Sequence, residues 1–140
     1  MEIRREVPIE VSSEAAWAAL IDVAAWPTWT PTMSSVAALG SGDLCVGARY
    51  AIAQPKLPRL TWVVTELTVG ASFVWEARSP GLRTVAEHRV EARGPASCTV
   101  TLVLRQTGVL AGLSSLLTGR RTEQMVATEA TSLKAHLEAA

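Results

Sequence analysis

The sequence predicts an α+β fold in which a curved seven-stranded antiparallel sheet wraps around a long C-terminal helix, in the order β-α-α-β6-α. Three observations support this prediction. Residues 109–140 contain no proline, and from Thr118 onward they are mainly good helix-forming residues. Four consecutive segments between residues 60 and 107 alternate apolar and polar side chains, as strands with one covered face do. The connections between these strands are short, which indicates an antiparallel meander.

A first strand and a first helix are predicted at the N-terminus. Residues 3–11 alternate in the manner of a strand. The serines at 12–13 offer an N-cap, and Glu14 lies in the first turn, where the helix dipole favours an acid. Pro27 disfavours helical backbone at the residue before it and so ends this helix. Residues 26–31 are therefore expected to form a tight turn or a short second helix.

Six further strands follow, each bounded by turn residues. They are predicted at residues 33–39, 48–54, 60–68, 72–78, 82–92 and 97–107. Pro80 and Gly81 form the centre of a favourable type II turn between two of them. The side chains expected on the covered face include Trp62, Val64, Phe73, Trp75, Ala77, Ala86, His88, Val90, Val100, Leu102 and Leu104. Because a sheet of this size twists, a helix across its concave side would leave space at the ends.

The C-terminal helix has one mostly apolar stripe, with members spaced three or four residues apart. They are Thr122, Met125, Val126, Glu129, Leu133 and Leu137. Such a helix needs a partner surface, because isolated helices are marginally stable in water. Glu129 is the exception in the stripe, since an ionised carboxylate buried alone is strongly unfavourable. It must pair with a cation such as Arg49, reach water in a cavity or have a raised pKa, and a structural ion pair is the favoured outcome.

The composition indicates one domain, residues 1–140, and argues against several classes of partner. The 13 basic and 13 acidic side chains form no dominant cluster, which argues against nucleic acid or an anionic membrane as the main partner. The longest apolar run, residues 109–117, is too short to span a bilayer, so no integral membrane association is expected. The N-terminus lacks the apolar core of a signal peptide, and Cys45 and Cys98 are interpreted as reduced thiols of a cytoplasmic protein.

No cofactor or metal is expected from the sequence. The two cysteines form no CxxC motif and have no neighbouring histidine. The glycines form no phosphate-binding loop, and no serine lies in a nucleophile elbow. An exposed edge strand leaves a homodimer possible.

A set of short segments links the chain to a known family. They are Val11-Ser12-Ser13-Glu14 with Trp17, Asp22-Val23, Trp26-Pro27-Thr28-Trp29, Gly47-Ala48-Arg49, Gln54-Pro55, Trp62-Val63-Val64, Phe73-Val74-Trp75, His88-Arg89-Val90, Glu129 and Leu133-Lys134-Ala135-His136-Leu137-Glu138. With the element order, they resemble the START-like or Bet v 1-like (SRPBCC) superfamily, in particular its polyketide cyclase/dehydrase-like branch. The resemblance implies a helix-grip fold that encloses a hydrophobic ligand cavity. It implies no single reaction, because members include cyclases, lipid carriers and coenzyme Q-binding proteins.

Five tryptophans favour a wide interior with aromatic walls, since each can bury roughly 150–250 Å². Trp26 and Trp29 either plug the end of the core or form a gate at the cavity mouth. Trp62, Phe73 and Trp75 either fill the interior or form an aromatic shelf for a flat ligand. The full set expected to contact a ligand is Trp26, Trp29, Tyr50, Trp62, Phe73, Trp75, His88, Met125, Glu129 and Leu133.

Two functions are left open by the sequence. The first is binding of a hydrophobic small molecule, either lipid-like or a polyketide or other aromatic compound. The alternative is a polyketide cyclase or dehydratase that folds its substrate and assists with acid–base groups. No catalytic residue is assigned, but Tyr50, His88 and Glu129 are the candidates, and His88 has a structural alternative as a hydrogen-bonded core residue. A weaker third possibility is a protein contact through residues 55–58 or the outer face of the sheet.

Overall fold

The computed structural model describes residues 1–139 and contains one seven-stranded antiparallel sheet, two α-helices and a short 3₁₀ helix. The elements are β1 (Glu2–Ile9), α1 (Ser13–Ile21), the 3₁₀ helix (Val23–Thr28), β2 (Ser35–Ala38), β3 (Arg49–Ala53), β4 (Leu60–Thr68), β5 (Ser72–Ser79), β6 (Leu82–Gly94), β7 (Ser97–Thr107) and α2 (Ala111–Glu138). The predicted helix-grip class and element order are confirmed, and each predicted strand boundary lies within two residues of the observed one. Ala140, the last residue of the predicted helix, lies outside the described residues.

The sheet has the order β1-β7-β6-β5-β4-β3-β2, so that β1 and β2 form its edges. Trp75 lies near the middle, paired with Val64 on one side and Ala86 on the other. The helix α2 packs against the sheet through its predicted stripe, in which Val126 and Leu133 are buried. Among the described residues, no helix combines the length and apolar character needed to cross a bilayer.

Local chemistry explains how α1 begins and ends. The Ser12 hydroxyl accepts a hydrogen bond from the backbone N–H of Ala15 at 3.2 Å, as an N-cap should. The helix ends well before Pro27, and the alternative of a short second helix is the one that forms, as the 3₁₀ turn. The indole Nε1 of Trp26 donates to the carbonyl of Leu20 at 3.1 Å. This bond satisfies one of the terminal carbonyls of α1 that have no helical partner.

The start of α2 is fixed to the turn between β5 and β6. Gly81 has a φ of +74°, as the third position of a type II turn requires. Its carbonyl accepts a hydrogen bond from the N–H of Leu110 at 2.8 Å. Gly108 has a φ of +114°, and a Cβ at this position would lie 2.6 Å from the same carbonyl oxygen. The close backbone contact therefore requires glycine at position 108.

Candidate functional site

A cavity of about 260 Å³ lies between the concave face of the sheet and α2. Its lining consists of Met33, Gln54, Leu57, Pro58, Leu60, Trp62, Trp75, Ala77, Ser79, Leu82, Thr84, Ala86, His88, Leu104, Gln106, Ser114, Thr118, Thr122, Met125, Val126 and Glu129. These side chains are mostly apolar, and none is Lys or Arg. A dry cavity of roughly 150 Å³ is enough to hold benzene, so this one has room for a larger molecule.

Half of the predicted ligand-contacting residues line this cavity: Trp62, Trp75, His88, Met125 and Glu129. The three from the sheet come from β4, β5 and β6, where period-two alternation turns them to the concave face. The two from α2 are one turn apart on its inner stripe. Two indole rings on one wall thus face a thioether and a carboxyl group on the other. Contact of these five with a ligand stays a prediction.

Trp26 and Phe73 lie one layer deeper and are absent from the cavity lining. Both are fully buried. The Trp26 ring centroid lies 5.4 Å from those of Trp29, Trp75 and His88, and 6.5 Å from that of Phe73. Trp26 is therefore the centre of an aromatic cluster that supports the cavity wall from behind.

The remaining three predicted residues, Trp29, Tyr50 and Leu133, also lie away from the cavity lining. Trp29 is half-buried and its ring stacks on that of His136, with centroids 6.0 Å apart. The Tyr50 hydroxyl donates to the carbonyl of Gly42 at 3.2 Å, and burial raises its pKa. This bond fastens the β2–β3 loop to the core. Leu133 is a fully buried core residue on α2.

His88 is a neutral base in the cavity wall. Its ring lies flat on that of Phe73, with centroids 4.2 Å apart, and only 3% of the residue is exposed. Burial lowers the pKa of His88 to about 4, so the imidazole is uncharged at neutral pH. Nδ1 lies 3.4 Å from the Phe73 carbonyl oxygen, which can only accept, and this assigns the proton to Nδ1. Within residues 1–139, Nε2 has no hydrogen-bond partner and is not sealed from the cavity, so it remains a free acceptor there.

Glu129 faces the cavity without a charged partner. Neither an ion pair nor a hydrogen bond to its side chain forms within the described part of the chain, and burial raises its pKa to about 7. The expected ion pair with Arg49 is not formed. Tyr50 points into the core, and alternation along β3 therefore places its neighbour Arg49 on the exposed face. At neutral pH the Glu129 carboxyl is thus close to half protonated and can donate or accept a proton.

A row of three hydroxyl groups lies along α2, and only Thr122 among them belonged to the predicted inner stripe. Ser114, Thr118 and Thr122 are spaced four residues apart and line one side of the cavity. The hydroxyls of Thr118 and Thr122 donate to carbonyls one turn earlier, at 2.8 and 3.0 Å, which leaves their lone pairs as acceptors. Leu116 and Leu117, between them in sequence, are 81% and 72% exposed. The i, i+4 spacing of the three hydroxyls, which extends the predicted stripe from Thr122 toward the N-terminus, was the available signal.

The cavity therefore combines a neutral proton acceptor, a carboxyl group that titrates near neutrality and a row of hydroxyls with apolar and aromatic walls. Within residues 1–139, no three His, Cys, Asp or Glu side chains lie close enough together to hold a metal ion.

Comparison with known proteins gives a family and a fold. The family model described as "Polyketide cyclase / dehydrase and lipid transport" matches residues 1–138. Among solved structures, a hypothetical protein from Helicobacter pylori has a TM-score of 0.82 at 15% identity, with 97% of this chain and 87% of that chain covered. The di-domain ARO/CYC BexL from the BE-7585A biosynthetic pathway has a TM-score of 0.79 at 18% identity, over 99% of this chain and 46% of that one. Norcoclaurine synthase from Thalictrum flavum, solved with dopamine and hydroxybenzaldehyde, has a TM-score of 0.76 at 14% identity, covering 98% of this chain and 86% of that chain. No curated protein sequence matches.

Proposed function

Because the chain belongs to the polyketide cyclase/dehydrase and lipid transport family, we propose that it binds a hydrophobic small molecule, lipid-like or polyketide-like, in the cavity between the sheet and α2. The observation that carries this proposal is the cavity itself. Its mostly apolar wall includes two indole rings, and its volume of about 260 Å³ exceeds that of a packing defect. Pockets that bind small molecules combine apolar walls with a few polar groups in this way.

Native mass spectrometry of gently purified protein, together with thermal shift on a panel of lipids and aromatic polyketides, tests this proposal. We expect a bound species, or a rise in Tm with part of the panel. Ala86→Phe should abolish the effect, because Ala86 lines the cavity and phenylalanine would occupy the space. Ala92→Phe is the matched control, since Ala92 lies further along the same strand and is exposed. A panel without effect on the wild type, or an equal response in both variants, would refute cavity binding.

A cyclase or dehydratase activity is the second candidate, and one observation favours it. His88 and Glu129 give the same cavity a neutral base and a carboxyl group with a pKa of about 7. In a β-hydroxy ketone, Nε2 of His88 would remove the proton next to the carbonyl. Protonated Glu129 would then donate its proton to the leaving hydroxyl, so that a carbon–carbon double bond forms and water departs. Transfer of a proton from His88 to Glu129 through solvent restores both groups.

The aldol adduct of benzaldehyde and acetone is a suitable probe, because its dehydration gives the strongly absorbing benzylideneacetone. The mechanism requires neutral His88 and protonated Glu129, so turnover should be confined between about pH 4 and about pH 7. His88→Gln and Glu129→Gln should each reduce turnover by about 10²-fold or more while ligand binding is retained. Unchanged turnover in both variants would exclude this mechanism.

A further inference from the structure

A groove beside the cavity is lined by two basic side chains. The β3–β4 loop, residues 54–59, separates two spaces beside α2. Leu57 and Pro58 line the cavity, whereas Pro55 and Lys56 line a groove of about 360 Å³ whose other wall is α2. Met125 lines both spaces, so a single flexible thioether side chain stands at the boundary between them.

The groove has two cationic residues and no acidic one. Lys56 and Arg121 line it from opposite sides, the first from the loop and the second from α2. Both are exposed, and neither forms a salt bridge with another residue of the described chain 1–139. Lys56 has a φ of 62°, a left-handed backbone conformation that is uncommon outside glycine and asparagine. The Lys56 side chain lines the groove from this turn of the backbone.

The cavity itself offers an anion no cationic partner. Among the described residues 1–139, no Lys or Arg lines it, and its only ionisable groups are His88, which is uncharged at neutral pH, and Glu129. A carboxylate or phosphate placed inside would lose its hydration without gaining a cation, and it would be repelled by the ionised form of Glu129. An anionic group of a bound molecule is thus more favourably placed in the groove, beside two cations, than in the cavity.

We propose that the ligand is an amphipathic anion, whose apolar body occupies the cavity and whose carboxylate or phosphate lies in the groove against Lys56 and Arg121. This inference rests on the proposed binding function and specifies its ligand class. The body passes Met125, and the two cations supply charge-assisted hydrogen bonds at the solvent-exposed end. Because the groove is open to solvent, the two contacts should add modestly to affinity, by about tenfold together.

Isothermal titration calorimetry at low salt and mildly alkaline pH with decanol, decanoate and decyl phosphate tests this assignment. All three share one apolar chain and differ in charge, and the two anions distinguish a carboxylate from a phosphate preference. We expect the favoured anion to bind about tenfold more tightly than decanol. The double variant Lys56→Asn/Arg121→Gln should reduce anion affinity to that of decanol without changing decanol binding. Asparagine is chosen because it tolerates the left-handed conformation of position 56.

Arg120→Gln is the matched control, because Arg120 is the exposed neighbour of Arg121 but does not line the groove. It should leave the preference for anions unchanged. Equal affinity of the wild type for decanol and both anions would overturn the groove assignment and leave cavity binding intact. The groove assignment is also overturned if the double variant still binds the anions more tightly than decanol, or if it loses decanol binding as well. Failure of all three compounds to bind would overturn cavity binding, and this inference with it.

Discussion

Replacement of Glu129 by glutamine should stabilise the protein at neutral and alkaline pH. Burial raises the pKa of Glu129 from 4.5 to about 7 in the folded protein, whereas in the unfolded chain the group returns to an ordinary value near 4.3. Between these values the folded protein keeps a proton on Glu129 that the unfolded chain has lost. Unfolding therefore releases a proton, and the free energy of unfolding falls as the pH rises through this interval.

The size of the effect follows from the pKa shift. One pKa unit corresponds to about 1.36 kcal/mol, so a rise from 4.5 to about 7 costs the folded protein about 3 kcal/mol above pH 7. Glutamine has nearly the same shape and no charge. Relative to wild type, Glu129→Gln should change the free energy of unfolding little at about pH 4 and raise it by up to about 3 kcal/mol at about pH 8. In a domain of this size, that corresponds to a rise in Tm of about 10 °C.

Urea unfolding, followed by tryptophan fluorescence at a series of pH values, measures this difference. Variant and wild type must be compared at each pH, because His88 makes the free energy of unfolding rise with pH over nearly the same interval in which Glu129 makes it fall. The two effects partly cancel in wild type. Unfolding exposes His88, whose pKa returns from about 4 to 6.5, and so takes up a proton there. Glu123→Gln is the control: Glu123 is exposed and paired with Arg5 at 2.7 Å, so its loss should cost less than about 1 kcal/mol.

Two results would refute the reasoning. If Glu129→Gln destabilises the protein at alkaline pH, the carboxylate is ionised in the folded state and makes a stabilising contact. If the difference from wild type is the same at acid and alkaline pH, the pKa of Glu129 is not raised by folding.

Three further predictions concern stability. As the pH falls from 6.5 to about 4, wild type should lose about 3 kcal/mol of unfolding free energy relative to His88→Gln, because the unfolded chain takes up a proton on His88 that the folded protein does not. Urea unfolding of both proteins at pH 6.5 and at about pH 4 measures this loss. If the difference between the two proteins is the same at both pH values, the assigned pKa is wrong. Trp26→Ala should destabilise by about 3–5 kcal/mol because it empties the centre of the aromatic cluster. Trp29→Ala should destabilise the protein less, because Trp29 is only half-buried. A lower urea midpoint for Trp29→Ala than for Trp26→Ala would contradict this packing. Gly108→Ala should destabilise the protein by about 1–3 kcal/mol through strain at its positive φ. Gly112→Ala should stabilise it by about 0.5–1 kcal/mol, because a Cβ at this helical position meets no other atom. Similar Tm shifts for the two variants would argue against the close contact at Gly108.

The element order and the covered face of the sheet were predictable because their signals are local. Alternation along a strand fixes which side chains share a face, and this placed Trp62, Trp75 and His88 on the concave side. How deeply a side chain lies below that face depends on contacts between distant segments, which leave no local pattern in the sequence. For both Trp26 and Trp62 the sequence left open whether the ring fills the core or contacts a ligand. The 3₁₀ helix carries Trp26 behind the cavity wall, whereas Trp62 lines the cavity.

The predicted stripe gave the orientation of α2 from Thr122 onward, but the first turns of the helix carried no prediction. Near its start three hydroxyl residues, Ser114, Thr118 and Thr122, point inward, whereas the nearby leucines are exposed. The backbone contact of Gly108 with Gly81 fixes where the helix begins, and a contact between residues so far apart in sequence leaves no local pattern. The free carboxyl of Glu129 was recognised as unusual from its position in the stripe, but its lack of a cation depended on which face of β3 carries Arg49.

The pairing of β1 with β7 has a consequence for synthesis of the chain. Ile9 pairs with Cys98, and Glu2 with Arg105, so β1, which precedes the other strands of this domain in sequence, can pair with β7 only when most of the domain has left the ribosome. At about 5–20 residues per second, β1 then waits for roughly 5–20 s with its apolar side chains, Ile3 and Val7 among them, unpaired. Closing so long a loop is an entropically unfavourable late step. Among the strands of this domain, β1 is thus the one that stays longest without its partner.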